Sequence, residues 1–470
     1  MKKFINSFLL FSMGPVIGAI ISIVTIPLTT YFISPEEFGK SSMFTLFLGL
    51  IVTVLYLGID QAYTREFHES NNRINLLKNA MLLPLLISVF LFIIIIFNLN
   101  FVSNVLFGSP EYKFAALLFG VTIIFMVLER FIMLSIRMEE KALEYSILNI
   151  ILKLNILILT LFFVFFIRRD FLTVVYSTVF GQILADMYLI IRYRVYLDFR
   201  KFKFDKSLVI KLVKFGAPLI IAASFTRLLN SMDRIALRTW SDFYEIGIFT
   251  AALKVSATLT IIQTSFTAFW TPIALRWHKE KKNPKNFELV SNSILLLLSF
   301  LFCLILIFKD YIVLILLGSK YMDATTIIGL LCLYPIMYTL SETTTLGIIF
   351  SRKTHYNIWV SILSIIPNIL LNIVLVPYFG AVGAAIATGF SYIVFFVCRS
   401  YFSSKNWVGF SVKPHIIITA ILFMAAIINA QNYNYSTYIN LAFLVLIIII
   451  QIPTIKKLIS FKKDNDYDFK

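Results

Sequence analysis

Arg227, Ser231, Arg234 and Arg238 stand four, three and four residues apart. That spacing aligns them on one face of an α-helix. A guanidinium grips phosphate or carboxylate through a planar fork, and a lysine ammonium acts as a point charge. Two lysines, Lys153 and Lys254, also lie inside apolar runs. At 1.5 Å per residue, Arg227 falls about 18 Å into its run counted from Phe215. Lys254 falls about 14 Å deep counted from Glu245, and Lys153 about 12 Å from the near end of its own run. The three deepest charges are therefore positive and reach similar depth. The acids Asp60, Glu129, Asp186 and Glu342 lie nearer one end of their runs. This pattern implies a cavity lined with cations for an anionic ligand. Asp233 and Arg234 are adjacent and so point to different helix faces. They are expected to cap the outer end of the helix and to gate, and Arg238 to sit in the following loop. Gln263, Trp270 and Glu342, within "TSFTAFWT" and "TLSETTTLG" or close by, add polar and aromatic groups.

The chain that must position these residues is strongly apolar. Of 470 residues, 59% are hydrophobic and only 14% charged, and the mean hydropathy is +0.87. A soluble protein of this size needs far more charge to cover its surface. Apolar runs recur from end to end, so the fold class is an all-α integral membrane protein. The N-terminal run is too long for a signal peptide, lacks a small-residue cleavage site, and is expected to stay as the first span. The net charge of +17 does not point to nucleic acid, because basic residues gather in cytoplasmic loops of membrane proteins. Three cysteines and four histidines show no metal-ligand spacing. No Ser/His/Asp set and no phosphate-binding loop appears, so neither an enzyme nor a cofactor is expected.

About 14 spans of roughly 20 residues can be counted, centred near residues 21, 51, 90, 123, 156, 182, 221, 258, 298, 337, 367, 391, 421 and 446. Placing the N-terminus inside puts about 31 of the 42 Lys+Arg on the cytoplasmic side. Both termini are then cytoplasmic. The segments "GPVIGAIIS…SPEEFGKSSMF" and "GAPLIIAAS…SDFYEIGIFTAA" echo each other at an offset of about 205 residues, as two parallel six-helix repeats would. The expected organisation is a six-helix bundle over 1–200, a second over 201–405, and two extra helices with a cytoplasmic tail over 406–470.

Several segments resemble a known family. "NSMDRIALRTWSDFYEIGIFTAALKV" is similar to the Asp-Arg signature of bacterial polysaccharide-export flippases. "GSKYMDA" at 318–324, "PNILLNIVLVPYFGAVGAAIAT" at 367–388 and "GIDQAYTRE" at 58–66 resemble further motifs of that family in the same order. The family is the O-antigen and capsule repeat-unit branch of the multidrug/oligosaccharidyl-lipid/polysaccharide exporter superfamily. The resemblance implies two pseudo-symmetric six-helix bundles around a cationic cavity, working by alternating access in the bacterial cytoplasmic membrane. It implies an undecaprenyl-diphosphate-linked oligosaccharide as cargo, held at its diphosphate by Arg227, Lys254 and Lys153. Gln263, Trp270, Glu342, Asp233 and Arg234 would meet sugars or gate. A proton or sodium ion coupled through Asp60, Asp186 or Glu342, a polysaccharide polymerase in the same membrane and a monomeric state are further expectations from the resemblance. A peptidoglycan-precursor flippase and a cation-coupled multidrug exporter share the superfamily; the latter takes cationic substrates and so needs an acidic cavity.

Overall fold

The computed structural model describes residues 2–198, 200, 202–353, 355–407, 409–431, 433 and 435–460. Residues 461–470 of the expected cytoplasmic tail lie outside the described residues. By internal contacts the chain forms two compact units, Met1–Ser231 and Met232–Lys470.

In the N-terminal unit the order is α1 (Lys2–Thr30), α2 (Pro35–Leu55), α3 (Ile59–Glu66), α4 (Arg73–Phe97), α5 (Leu99–Phe107), α6 (Lys113–Met138), α7 (Ala142–Phe166), α8 (Phe171–Arg192) and α9 (Lys206–Trp240), the last running on past Ser231. The C-terminal unit continues with α10 (Phe243–Ser256), α11 (Leu259–Lys279), α12 (Pro284–Ile307), α13 (Lys309–Leu316), α14 (Ala324–Thr344), α15 (Leu346–Phe350), α16 (Tyr356–Ser404), α17 (Lys413–Ala430) and α18 (Ser436–Ser460). Water is absent from the bilayer core, so each spanning segment must satisfy its own backbone, and helices do this locally.

Eleven helical segments among the described residues are long and apolar enough to cross a membrane. The expected number was about fourteen, and the difference falls at three places. The first helix contributes a shorter apolar stretch, Val16–Thr30. The charged α9 is not among the eleven. The spans centred near 367 and 391 are one continuous element, α16.

That element is broken internally. Gly380 adopts φ 51° and ψ −127°, a conformation that essentially only glycine reaches. A Cβ at Gly383 would come within 2.6 Å of the Leu375 carbonyl oxygen. Residues eight apart in a straight helix are about 12 Å apart, so the chain reverses here without a loop. Glu245 from α10 closes the joint, its Oε2 accepting from the Ala381 amide at 2.8 Å. The carboxylate thereby satisfies one of the free amides at the start of the second half.

Apolar side chains face outward in quantity. Phe97 is 82% exposed, and Phe90, Phe166, Ile191 and Val374 are also exposed. In a chain with so little charge these are surfaces for lipid. The core of the N-terminal unit joins Tyr63 of α3 and Phe67 just after it, Leu77 and Met81 of α4, Phe131 of α6 and Leu212 of α9. The start of α9 is pinned to this core. Lys211 pairs with Glu66, and the Arg65 guanidinium lies 4.5 Å over the Phe215 ring. Asp205 caps the helix, accepting from the Leu208 amide at 3.0 Å and the Ser207 hydroxyl at 2.7 Å. The Leu208 amide, followed by that hydroxyl, holds the Asp205 carboxyl below the usual carboxylate range.

The joint gives a direct test. In Gly380→Ala the new Cβ would lie 2.8 Å from Glu245 Oε2, in a backbone region that costs a side-chain-bearing residue about 1–3 kcal/mol. A lowered unfolding temperature of the detergent-solubilised protein is expected. An unchanged transition would show that the joint is not held in this conformation.

Candidate functional site

The N-terminal unit contains a polar cavity of about 540 Å³, lined by Thr53, Tyr56, Asp60, Gln61, Arg130, Arg227 and Asn230 among others. The local sequence explains how it opens. α2 ends where Leu57 and Gly58 both take positive φ, 51° and 66°. This double left-handed turn restarts the chain as α3 and delivers Asp60 and Gln61 to the cavity. Gly58 also touches α9: a Cβ there would meet the Gly216 carbonyl oxygen at 2.3 Å. Backbone contact of this closeness needs glycine on both sides, and it sets α9 beside the cavity.

Two arginines face this space in different electrostatic states. Arg130 donates from Nε and Nη2 to Asp60 Oδ2, at 3.2 and 2.6 Å. Asp60 is buried, and the guanidinium also lies 5.5 Å over the Tyr56 ring. This pair is close to neutral as a unit. Arg227 is exposed to the cavity and has no ion pair or hydrogen bond among the described residues. Hydroxyls and amides of Thr53, Tyr56, Gln61 and Asn230 line the cavity with it.

Lys153 does not line this cavity. It sits on α7 close enough to Glu129 for their charges to interact. Glu129 belongs to a second cluster, in which Gln182 Nε2 donates to Glu129 Oε2 at 2.7 Å and to Asp186 Oδ2 at 2.9 Å. Lys254 is exposed on α10 of the C-terminal unit. Within the N-terminal unit, Arg227 and Lys153 thus occupy separate settings.

The remaining predicted residues are placed as follows. Asp233 is buried and accepts at Oδ1 from Asn368 and Asn372, at 3.1 and 2.9 Å. Arg234 is half-buried beside it in sequence. Arg238 lies in the last turn of α9 rather than in a loop, its guanidinium 4.6 Å over the Phe243 ring. Trp270 is buried against Phe266, Trp277 and Phe287. Gln263, one end of the same helix away, is half-buried with its Oε1 unbonded.

Glu342 is buried and paired with Arg399 at 2.8 Å. Its neighbours are also used inside the bundle. Ser341 accepts from Arg399 at 2.6 Å, Thr343 bonds Ser291 at 2.7 Å, and Thr344 bonds Ser400 at 2.7 Å. The run "TLSETTTLG" therefore joins helices, as hydroxyl groups in membrane bundles commonly do. Arg130 and Arg399, the partners of Asp60 and Glu342, are the residues that sequence reasoning missed. The signal was a basic residue at the inner end of an apolar helix, which reads as a loop charge.

A family profile described as "Polysaccharide biosynthesis protein" matches residues 4–278. The chain is 24% identical over 225 residues to the "Probable low-salt glycan biosynthesis flippase Agl15" of Haloferax volcanii, covering 44% of this chain and 48% of that protein. It is 26% identical over 227 residues to the "Uncharacterized membrane protein MJ1068" of Methanocaldococcus jannaschii, covering 46% of this chain and 44% of that one. The chain spans about half the length of the curated relatives it matches. Its fold resembles the lipid II flippase MurJ in an inward closed conformation, with a TM-score of 0.71 and 16% identity over 97% of this chain and 99% of that one. It also resembles an inward-facing multidrug resistance MATE family transporter of the MOP superfamily, with a TM-score of 0.60 and 14% identity over 85% and 95% of the two chains.

Paired and unpaired arginines should behave oppositely on removal. Arg399→Ala strands a buried carboxylate and is expected to cost about 3–5 kcal/mol. Arg227→Ala breaks no pair and should change stability by no more than about 0.5 kcal/mol. Thermal unfolding of both variants in detergent checks this; equal destabilisation would mean that Arg227 is a structural charge.

Proposed function

The chain belongs to the polysaccharide biosynthesis protein family, and from that premise we propose that it is a flippase for a lipid-linked oligosaccharide. The observation that carries this reading is the unpaired Arg227 in a polar cavity of an otherwise apolar body. A charge at a helix centre costs at least about 2.5–3.5 kcal/mol on insertion scales. A structural charge recovers that cost from a partner, as Arg130 and Arg399 do. Arg227 recovers it from a ligand. The ligand is an anion, and a diphosphate suits the guanidinium fork.

The cargo proposed is an undecaprenyl-diphosphate-linked repeat unit, moved from the inner to the outer leaflet of the cytoplasmic membrane by alternating access. Its headgroup cannot cross hydrocarbon unaided, because every unsatisfied hydroxyl costs several kcal/mol and the charge far more. The basic loops support cytoplasmic placement of both termini. A drug exporter for cations is disfavoured by the same arginine. Transport, and not catalysis, is what these side chains serve.

Of the three acids considered for ion coupling, Asp60 and Glu342 are each neutralised by an arginine. Asp186 shares one amide with Glu129 and is the member of the set open to a proton or a sodium ion. Asp233, ringed by two carboxamides, offers a second such position.

The test is the lipid extract of cells lacking this protein, alone and complemented with wild type or Arg227→Ala. Accumulation of an undecaprenyl-diphosphate oligosaccharide, with loss of surface polysaccharide, is expected in the deletion and in Arg227→Ala. Accumulation in the deletion alone would keep the function and remove Arg227 from the site. Raised drug sensitivity without any such intermediate would replace the flippase by an exporter.

A further inference from the structure

Two cavities of the N-terminal unit meet along three shared side chains. The polar cavity shares Thr53, Ile220 and Arg227 with a larger groove of about 800 Å³. The groove is walled by α2 (Leu50, Ile51, Val54), α4 (Phe90, Leu91, Ile94) and the apolar side of α9. Its polar groups are Thr53, Ser224 and Arg227, all on the side of the polar cavity or beside it. An amphiphile with a charged head and a hydrocarbon tail has this same arrangement: hydroxyls, amides and a cation at one end, aliphatic and aromatic surface at the other.

We propose that the groove between α2, α4 and α9 holds the first isoprene units of the cargo's polyprenyl chain while its diphosphate sits against Arg227. The proposal rests on the flippase reading and adds the route of the tail. The groove runs about 12 Å along α2 between Phe47 and Leu55, so the remainder of a long chain stays in the bilayer.

Depth separates this occupant from an ordinary annular phospholipid. Counted from Phe215, the expected entry of this run into the membrane, Arg227 lies about 18 Å along α9. A phospholipid keeps its phosphate at the membrane surface, where solvation is available. A diphosphate being carried across is the phosphate group that reaches Arg227 with its tail still in hydrocarbon. The open flank of the groove, where Val54, Phe90 and Leu228 are exposed, lets the tail remain outside the protein as the head moves.

The experiment uses the full chain in lipid nanodiscs. One probe is a polyprenyl diphosphate carrying a diazirine in its first isoprene units; the control is phosphatidylglycerol with a diazirine in one acyl chain. Labelled positions are mapped by mass spectrometry. Labelling of residues 47–55 and 87–94 by the polyprenyl probe is expected. Unlabelled polyprenyl diphosphate should displace it, and excess phosphatidylglycerol should not. In Arg227→Ala, saturable labelling should weaken about tenfold, the usual worth of one charge-assisted hydrogen bond. In Ile51→Trp, which fills the groove and leaves the polar cavity intact, labelling there should be lost.

Equal labelling of the same residues by phosphatidylglycerol would overturn the proposal, making the groove a site for bulk lipid. Saturable binding mapped to another part of the chain would overturn the tail route and leave the flippase reading standing. Absence of saturable polyprenyl diphosphate binding anywhere would remove both.

Discussion

An ionised side chain in hydrocarbon must be paired, solvated or used, and the placement of charge in this protein follows from that constraint. Asp60 and Arg130, Glu66 and Lys211, and Glu342 and Arg399 are paired across helices. Glu129 and Asp186 share the amide of Gln182. Each of these contacts ties together helices whose apolar surfaces alone would not distinguish a neighbour from lipid. Once they are accounted for, Arg227 is conspicuous because the same constraint applies to it and no ion pair or hydrogen bond among the described residues answers it.

The geometry around Arg227 is backbone work. Two left-handed residues at Leu57 and Gly58 interrupt what would otherwise be one long helix, and Gly58 against Gly216 brings α9 in at contact distance. Neither feature carries charge. Together they turn a packed helix bundle into one with a polar recess, which is how irregular backbone is tolerated at membrane depth: it is buried in protein or lines a cavity.

Much of the all-helical membrane body was legible in the sequence, because long apolar runs admit few alternatives. That Arg227 stands inside a helix was legible too, since a cation inside such a run is rare on energetic grounds. Pairing was not. Asp60 and Arg130 are seventy residues apart in sequence, on different helices, and a helix that is apolar all round has no periodicity to reveal which face meets which neighbour. The hydroxyl-rich stretch around Glu342 looked like a ligand surface for the same reason. Its partners, Ser291, Arg399 and Ser400, lie on α12 and α16 and only the fold brings them within reach. Trp270 shows the converse: an aromatic that sequence offers to sugar is spent on a cluster with Trp277 and Phe287.

The reversal at Gly380 also bears on how the chain enters the membrane during synthesis. Between Pro377 and Ala384 there is no charged residue, and Tyr378 at the bend is 82% exposed, as suits an aromatic at a water–lipid boundary. A ribosome feeding this stretch into the insertion machinery delivers no hydrophilic segment that could be translocated separately. A reversal this tight favours insertion of the two halves of α16 together, as one hairpin. The backbone angle of a single residue, Gly380, thus bears on assembly as well as on the finished fold.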